Sequence, residues 1–513
     1  MAQIAVKNLT FAYEGSFDNI FEHVSFSVDT DWKLGFLGRN GKGKTTFLQL
    51  LQGVYEYAGE IRTGMAFDYF PYPAGPGQLT QCGAELAEAW KVDGESWRVL
   101  REMEKLKVEA EVLYRPFGTL SPGERTKVML AVLFSGEHDF LLIDEPTNHL
   151  DQASREAVKE YLSEKKGFLL VSHDRDLLDA CVDHVLVLNR KTIEVQAGNF
   201  SSWWENKSRR DAFARMENEK HLKEIRRLRA ASDRSRQWAD KSERRKIGAD
   251  PVKDPNYVGK RPYIGMKTKK MQSRVKQMER RLDREIQEKE GLLEDIEQAA
   301  DLKLMPLTHH KNCLIRAKEY GLSYEGAEKW VFEGLDFTVC RGERVFLNGE
   351  NGCGKSSLLK SVMAGLSGDR EEAFRKAKLQ ERGSLEVASG LAVSFVSQDT
   401  SFLRGSLRNF CQERYLEEHL FCAILRQLDL GREQFEKSME AYSEGQKKKV
   451  LLAASLLTPA HLYVWDEPLN YIDVFSRMQI EKVLLSVQPT MLVVEHDVRF
   501  RETVGTKVVE MEN

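Results

Sequence analysis

Apolar positions in this chain follow two periodicities. Short unbroken apolar runs read as buried strands: Leu34–Leu37 before Gly38, Phe140–Ile143 before Asp144 and Glu145, Leu169–Val171 just before His173, and Tyr463–Trp465 before Asp466 and Glu467. Two shorter strand-like runs lie around Tyr13 and from Phe21 to Val28. From Ser201 to Pro306 the period becomes helical. Met271, Val275, Met278, Leu282, Ile286, Leu293 and Ile296 recur mostly at threes and fours, a narrow coiled-coil seam. Upstream, Phe213, Met216, Leu222, Ile225 and Leu228 form a less regular stripe. Between the two, Lys241 to Met266 contains Pro251, Pro255, Pro262, Gly248, Gly259 and Gly265, too many breakers for a helix. The pattern predicts an antiparallel helical hairpin with arms of about 30 residues, about 45 Å each, and an irregular tip at 241–266.

The strand-bearing segments on either side of the hairpin repeat one another. Gly38-Arg-Asn40-Gly41-Lys-Gly43-Lys44-Thr45-Thr46 and Gly349-Glu-Asn351-Gly352-Cys-Gly354-Lys355-Ser356-Ser357 are both G-x-x-x-x-G-K-[ST] phosphate loops. Their backbone amides and helix N-termini suit phosphates, the lysines add point charge, and the Thr45 and Ser356 hydroxyls suit Mg²⁺. Asp144 and Asp466 end apolar strands and suit the metal, whereas the adjacent Glu145 and Glu467 suit an attacking water. His173 and His496 end further strands where a γ-phosphate can be touched. Ser121-Pro-Gly123 and Ser443-Glu-Gly445 open helices whose serines and amides suit a phosphate presented from outside. Tyr13 to Lys44 and Tyr324 to Lys355 are both 31 positions, and Ser121 to Asp144 and Ser443 to Asp466 are both 23. Two series at matching offsets are an internal repeat.

Charge singles out the hairpin. Residues 201–280 hold 24 Lys/Arg against 11 Asp/Glu, while the whole chain nets −3. A basic segment on a slightly acidic body points to a polyanion, most naturally nucleic acid. The basic residues continue into the tip as Lys246, Lys253, Lys260 and Arg261, with Tyr257 and Tyr263 placed to stack on bases. The seven cysteines are scattered and read as reduced thiols. The opening residues lack a signal-peptide pattern, and no stretch matches a membrane span. Together these features read as cytoplasmic. His309 and His310 read as a packed or solvated pair, and Trp203 and Trp204 as anchors of the hairpin base on the first repeat.

The serine-glycine helix start combined with the phosphate loop, the carboxylate strand and the histidine resembles the ATP-binding cassette (ABC) ATPases. Two cassettes joined by a long basic hairpin, without membrane domains, resemble the ABC-F proteins, which bind ribosomes. Gly198-Asn-Phe200, Thr308-His-His-Lys311 and Trp465-Asp-Glu-Pro-Leu-Asn-Tyr-Ile-Asp473 are similar to the Lsa-type antibiotic-resistance branch.

This resemblance implies an α/β fold with tandem ABC ATPase domains at 1–200 and 307–513 and a coiled-coil linker at 201–306. It also implies two ATP and Mg²⁺ sites in a head-to-tail sandwich. One site joins Lys44, Thr45, Asp144, Glu145 and His173 to Ser443 and Gly445; the other joins Lys355, Ser356, Asp466, Glu467 and His496 to Ser121 and Gly123. Tyr13 and Tyr324 would stack on adenine, and Gln398 would contact the metal. The first cassette has Phe70-Pro-Tyr72 where that glutamine is expected, and Pro122 lacks a backbone N–H. The implied partners are ribosomal RNA and P-site tRNA, bound by a monomer without membrane subunits or DNA. A housekeeping ABC-F translation factor is the nearest alternative, although the 77 positions from Lys44 to Ser121 leave little room for the insertion those factors often carry. The ATPase half of a transporter and a DNA-architectural ATPase leave the placement of the basic hairpin unexplained.

Overall fold

The computed structural model describes residues 3–14, 19–91, 96–136, 139–148, 150–189, 192–247, 266, 269–270, 273, 276–278, 280–282, 284–285, 304–326, 329–366, 372, 374 and 379–511. They form two compact units, Met1–Trp203 with Ala299–Asn513, and Trp204–Gln298.

The first unit holds both repeats, each built on two sheets. In the first repeat, β1 (Gln3–Phe11), β2 (Phe21–Asp29) and β4 (Ala58–Arg62) form an antiparallel sheet ordered β2-β1-β4. Beside it, β3 (Lys33–Leu37), β5 (Ala66–Phe70), β6 (Asp139–Asp144), β7 (Phe168–Val171), β8 (His184–Leu188) and β9 (Ile193–Ala197) are ordered β5-β6-β7-β3-β8-β9 and are parallel except for β9. Parallel strands covered on both faces need continuous apolar sequence, and the four residues of β7 are all buried.

The second repeat follows the same plan. Its antiparallel sheet β11-β10-β13 comprises Phe332–Cys340, Cys313–Tyr324 and Leu379–Val387. Its parallel sheet β14-β15-β16-β12-β17 comprises Val393–Val396, Leu462–Asp466, Met491–Val494, Arg344–Asn348 and Lys507–Glu510. Every residue of β15 and β16 is buried. In both sheets the strand preceding the phosphate loop is interior, and the carboxylate and histidine strands lie on one side of it. The C-terminal ends of those parallel strands are where such sheets bind ligands.

The two repeats pack directly on one another. Arg175 donates to Glu481 Oε2 at 3.0 Å and also bonds Oε1, and both side chains are almost fully buried. Arg499 reaches Asp179 at 2.8 Å and the Ser201 hydroxyl at 3.1 Å. Trp203, 3% exposed, meets Phe475 of the second repeat edge-on at 5.9 Å. The expected anchor for Trp203 was the first repeat; its ring also packs on Phe200, but the second repeat shares it.

Trp204–Gln298 is dominated by one helix, Phe200–Ile247, whose 48 residues span about 72 Å at 1.5 Å per residue. It runs through Ile247, so Lys246 is helical and the expected start of the loop at 241 is corrected. Residues 241–247 contain no glycine or proline, and the first breaker is Gly248. The packing stripe also differs from the expected one. Between 205 and 229 only Lys207, Asp211, Ala214, Asn218, His221, Ile225 and Leu228 are withdrawn from solvent, an unbroken alternation of threes and fours. Phe213, Met216 and Leu222 are exposed. The seam is largely polar, which is why an apolar count misplaced it. All described residues between 266 and 285 are helical, and Leu282 is buried. Met271, Val275, Ile286, Leu293 and Ile296 lie outside the described residues.

Arg175→Ala leaves Glu481 buried without its partner, a loss of about 3–5 kcal/mol. The variant is expected to unfold at a clearly lower denaturant concentration than wild type; an unchanged midpoint would show that the pair does not hold the repeats together.

Candidate functional site

Each phosphate loop leads from the end of its central strand into a helix, Lys44–Leu51 after β3 and Lys355–Gly365 after β12. Gly43 and Gly354 cap these helices at φ 106° and 95°. A Cβ would stand 2.6 Å from Ile20 or 2.5 Å from Val331, so both conformation and space demand glycine. Gly38, Gly41, Gly349 and Gly352 complete the loops. Lys44 Nζ donates to the Gly38 carbonyl at 2.7 Å and to Asn40 Oδ1 at 3.2 Å. Lys355 Nζ donates to the Gly349 and Glu350 carbonyls at 2.8 and 2.7 Å. Burial holds the Lys44 ammonium below its ordinary range, against the pull of Asp473, Glu145 and Asp144.

Thr45 Oγ1 donates to Asp144 Oδ2 at 3.0 Å, and Ser356 Oγ to Asp466 Oδ1 at 3.2 Å. Each site thus offers a hydroxyl and a carboxylate oxygen, the ligand chemistry of a hard divalent cation such as Mg²⁺. Burial raises both carboxyls, that of Asp466 to about 6. The next residues, Glu145 and Glu467, take left-handed backbone at φ 53° and 46°. Such a conformation is uncommon outside glycine and is characteristic of functional sites. His173 Nε2 lies 3.3 Å from Glu145 Oε1, and His496 Nε2 lies 3.7 Å from Glu467 Oε1.

The two sites are unequal. Gln398 Nε2 donates to Glu467 Oε2 at 2.9 Å, and Asn470 Nδ2 donates to the same oxygen at 2.6 Å. Strand register aligns Val396 with Phe70, which puts Tyr72 at the place of Gln398. Tyr72 turns into the core, stacked on Trp90 at 5.0 Å and bonded to Asp68 at 2.7 Å. Gln78, the first glutamine after that position, is tied into its own turn, its Oε1 accepting from Gly75 N at 2.8 Å. The polar contact is made instead by Tyr69, whose hydroxyl donates to Asp144 Oδ2 at 3.1 Å. Sequence reasoning missed Tyr69 because its counterpart in the second repeat, Phe395, has no polar atom.

Protonation separates the sites further. Burial and the adjacent Asp144 push Glu145 up to about 8, against Lys44 and Arg477. Burial also lowers His173 well below its ordinary value. At Glu467 burial acts the same way, but His496, Lys448 and Lys355 outweigh it and hold the carboxyl below its ordinary range.

Both sites are shared between repeats. A cleft of about 530 Å³ is lined by Lys355, Ser356, Gln398, Glu467 and His496 together with Pro122 and Arg155 of the first repeat. At the first site Asn40 Nδ2 donates to the Tyr471 carbonyl at 2.6 Å, and Arg39 and Lys42 lie 3.9 and 3.8 Å from Asp429. A Cβ on Gly445 would stand 2.9 Å from that same Tyr471 oxygen, and one on Gly123 2.8 Å from Ser154 Oγ. Ser121 and Ser443 N-cap the helices Pro122–Leu133 and Glu444–Leu457 in capping boxes with Glu124 and Gln446. Pro122 occupies N1, the helix position that tolerates a missing N–H. Tyr13 and Tyr324 are 41% and 39% exposed, which excludes a core role, and bond Thr46 Oγ1 and Ser357 Oγ at 2.7 Å each. Arg155, Asn470 and Tyr471 were not singled out from sequence; no spacing argument brings Arg155 and Tyr471 across the interface, whereas Asn470 acts within its own repeat, three residues after Glu467.

The remaining expectations divide. Lys253, Tyr257, Lys260, Arg261 and Tyr263 lie outside the described residues. His309 is buried, and its Nε2 lies 3.2 Å from the Ser389 carbonyl, a packed histidine. All seven cysteines are free. Among the described residues no helix is long and apolar enough to cross a membrane.

Two phosphate loops, each facing the serine-glycine helix of the other repeat, define a tandem-cassette P-loop ATPase. The chain belongs to the ABC family, matching the family description "ABC transporter" over residues 21–148 and 332–470. It is 27% identical to the ribosome protection protein VmlR of Bacillus subtilis (strain 168), with 98% of this chain and 86% of that protein aligned. It is 26% identical to the putative ATP-binding protein YdiF of the same organism, over 96% of this chain and 78% of that one. Among solved structures, the archaeal ribosome recycling factor aABCE1, crystallised with the stalk protein aP1, superposes with a TM-score of 0.61 at 18% identity. That match covers 99% of this chain and 87% of the other, and it shows the shared fold.

Tyr69→Phe removes one hydrogen bond to a carboxylate, worth roughly 1.5–3 kcal/mol. In a Glu467→Gln background it is expected to raise the Mg²⁺ concentration needed for half-maximal turnover by about tenfold. An unchanged Mg²⁺ dependence would remove Tyr69 from the metal site. A second expectation follows from Glu145. Because its folded value of about 8 lies above the ordinary 4.5, keeping it in place costs stability that grows as pH rises between those values. Without nucleotide, Glu145→Gln is therefore expected to raise the melting temperature more at pH 8 than at pH 5. An equal or reversed difference counts against the raised carboxyl.

Proposed function

We propose that this protein is an ATP-gated ribosome-binding factor that protects the peptidyl-transferase region from lincosamide, pleuromutilin and streptogramin A antibiotics. One observation carries the reading: two composite ATP sites share a chain with a 48-residue helix inside a segment of 24 Lys/Arg and 11 Asp/Glu. The similarity to a ribosome protection protein supports it.

In this reading the domains are 1–200, 201–306 and 307–513, and the chain acts as a cytoplasmic monomer. Lys44 and Lys355 with their loops bind the triphosphates. Tyr13 and Tyr324 stack on adenine. Ser121 with Gly123 and Ser443 with Gly445 close the opposite sites. Glu145 and Glu467 orient the attacking water, assisted by His173 and His496. Thr45 with Asp144, and Ser356 with Asp466 and Gln398, would hold Mg²⁺, which when bound neutralises charge on the phosphates.

Binding ATP from both sides favours the closed pair of cassettes. If the ribosome prefers that state, ATP promotes association and hydrolysis releases the protein. The basic arms neutralise RNA phosphates, setting affinity without sequence information. Lys246 at the end of the first arm and the tip residues Lys253, Tyr257, Lys260, Arg261 and Tyr263 supply charge and stacking near the P-site tRNA.

Replacing both glutamates, Glu145→Gln with Glu467→Gln, is expected to trap the protein on ribosomes and inhibit translation. Pelleting with ribosomes in ATP no better than wild type would reject ATP gating. Exchanging 252–263 for a short Gly-Ser turn is expected to leave ATPase activity intact and abolish drug resistance in a sensitive host. Full resistance with the shortened tip would favour a housekeeping translation factor.

A further inference from the structure

The helix Glu444–Leu457 carries two adjacent buried lysines directed at different nucleotide sites. Lys449 Nζ lies 3.3 Å from Asp473 Oδ2, and Asp473 is fully buried. The charge of Asp473 acts on Lys44 and His173 of the first site. Lys448 is 3% exposed and points elsewhere. Its Nζ donates to the carbonyls of Ser397 at 2.9 Å, Asp466 at 3.3 Å and Glu467 at 3.2 Å. An ammonium has three N–H donors and no acceptor, so these contacts use all of them.

Each of the three carbonyls belongs to a working part of the second site. Ser397 precedes Gln398, whose amide donates to Glu467 Oε2. Asp466 accepts from the Ser356 hydroxyl. Glu467 is the group placed to orient water. The N-cap of the same helix is Ser443, assigned above to the first site. A single helix therefore ends at one nucleotide and, little more than one turn further along, holds the backbone beneath the other.

The first repeat differs at the corresponding position. Five residues after Ser121, where Lys448 stands after Ser443, the chain has Thr126. Its side chain is neutral and has a much shorter reach.

We propose that Lys448 is a positioning residue that couples nucleotide bound against Ser443 at the first site to turnover at the second. The route from nucleotide at Ser121 to turnover at the first site ends at Thr126. Coupling between binding events is reciprocal by necessity, but coupling to turnover is not, so the two directions can differ. The proposal rests on the assignment of Ser443 to the first site.

A double-mutant cycle tests it, with phosphate release at the second site measured in a Glu145→Gln background. With Lys448 present, Ser443→Ala is expected to lower turnover about fivefold; with Lys448→Met it is expected to lower it less than twofold, the difference being a coupling of ordinary size. Lys448→Arg, which keeps charge and donors, restores most of the sensitivity. The mirror cycle of Ser121→Ala with Thr126→Val, in a Glu467→Gln background, gives effects that simply multiply. Binding of a fluorescent ATP analogue at two per chain and an intact melting transition establish that the variants fold. Should Lys448→Met unfold, Lys448→Gln takes its place. Multiplying effects of Ser443→Ala and Lys448→Met would overturn the coupling while leaving the site assignment standing. If Ser443→Ala changes neither analogue affinity nor turnover, the assignment of Ser443 fails and the proposal falls with it.

Discussion

A buried ammonium at the floor of each phosphate loop is the constraint around which each cassette is built. Lys44 and Lys355 are 9% and 7% exposed, and a charge removed from water survives only where it is compensated. Loop carbonyls meet each ammonium at one end, and carboxylates from the strand next but one stand opposite. That juxtaposition requires the loop strand to sit inside a parallel sheet, with the aspartate and histidine strands ending on the same edge. The strand orders β5-β6-β7-β3-β8-β9 and β14-β15-β16-β12-β17 both satisfy it. Glycine at the start of each loop helix is required as well, because a Cβ there would run into Ile20 or Val331, each just ahead of an antiparallel strand.

Pairing the cassettes extends this logic across the interface. Asn40 reaches the Tyr471 carbonyl, and Pro122 and Arg155 complete the cleft over Lys355. Each site is thus finished by the other repeat, and the buried Arg175–Glu481 pair fixes the register in which that happens. The symmetry is incomplete where it bears on chemistry. A tyrosine hydroxyl bonds Asp144 in the first cassette, whereas glutamine and asparagine amides bond Glu467 in the second. One glutamate is raised and the other held ionised.

Much of this was legible in the residues alone. Apolar runs of three or four, ending in Asp-Glu or leading into a glycine-rich loop, specify buried parallel strands because such runs have no polar face. Matching offsets specified the repeat, and the repeat specified two sites. The hairpin was read less well. Its first arm packs through Ala214, Asn218, His221, Ile225 and Leu228, a seam too polar to stand out against exposed Phe213 and Met216. The arm also continues to Ile247, because charged residues without glycine or proline extend a helix as readily as apolar ones.

By itself the sequence determined which groups are suited to chemistry, since phosphate loops, carboxylate strands and capped helix starts are local patterns visible in a few adjacent residues. Only the tertiary structure decided how those groups are partnered. Tyr69 replacing an absent glutamine, Tyr72 turning into the core against Trp90, and Lys448 gathering three carbonyls depend on strand register and on residues 18 or more positions apart. No spacing rule encodes such contacts. They arise when packing brings a polar atom to a place where the chain's own folding has left an acceptor out of water.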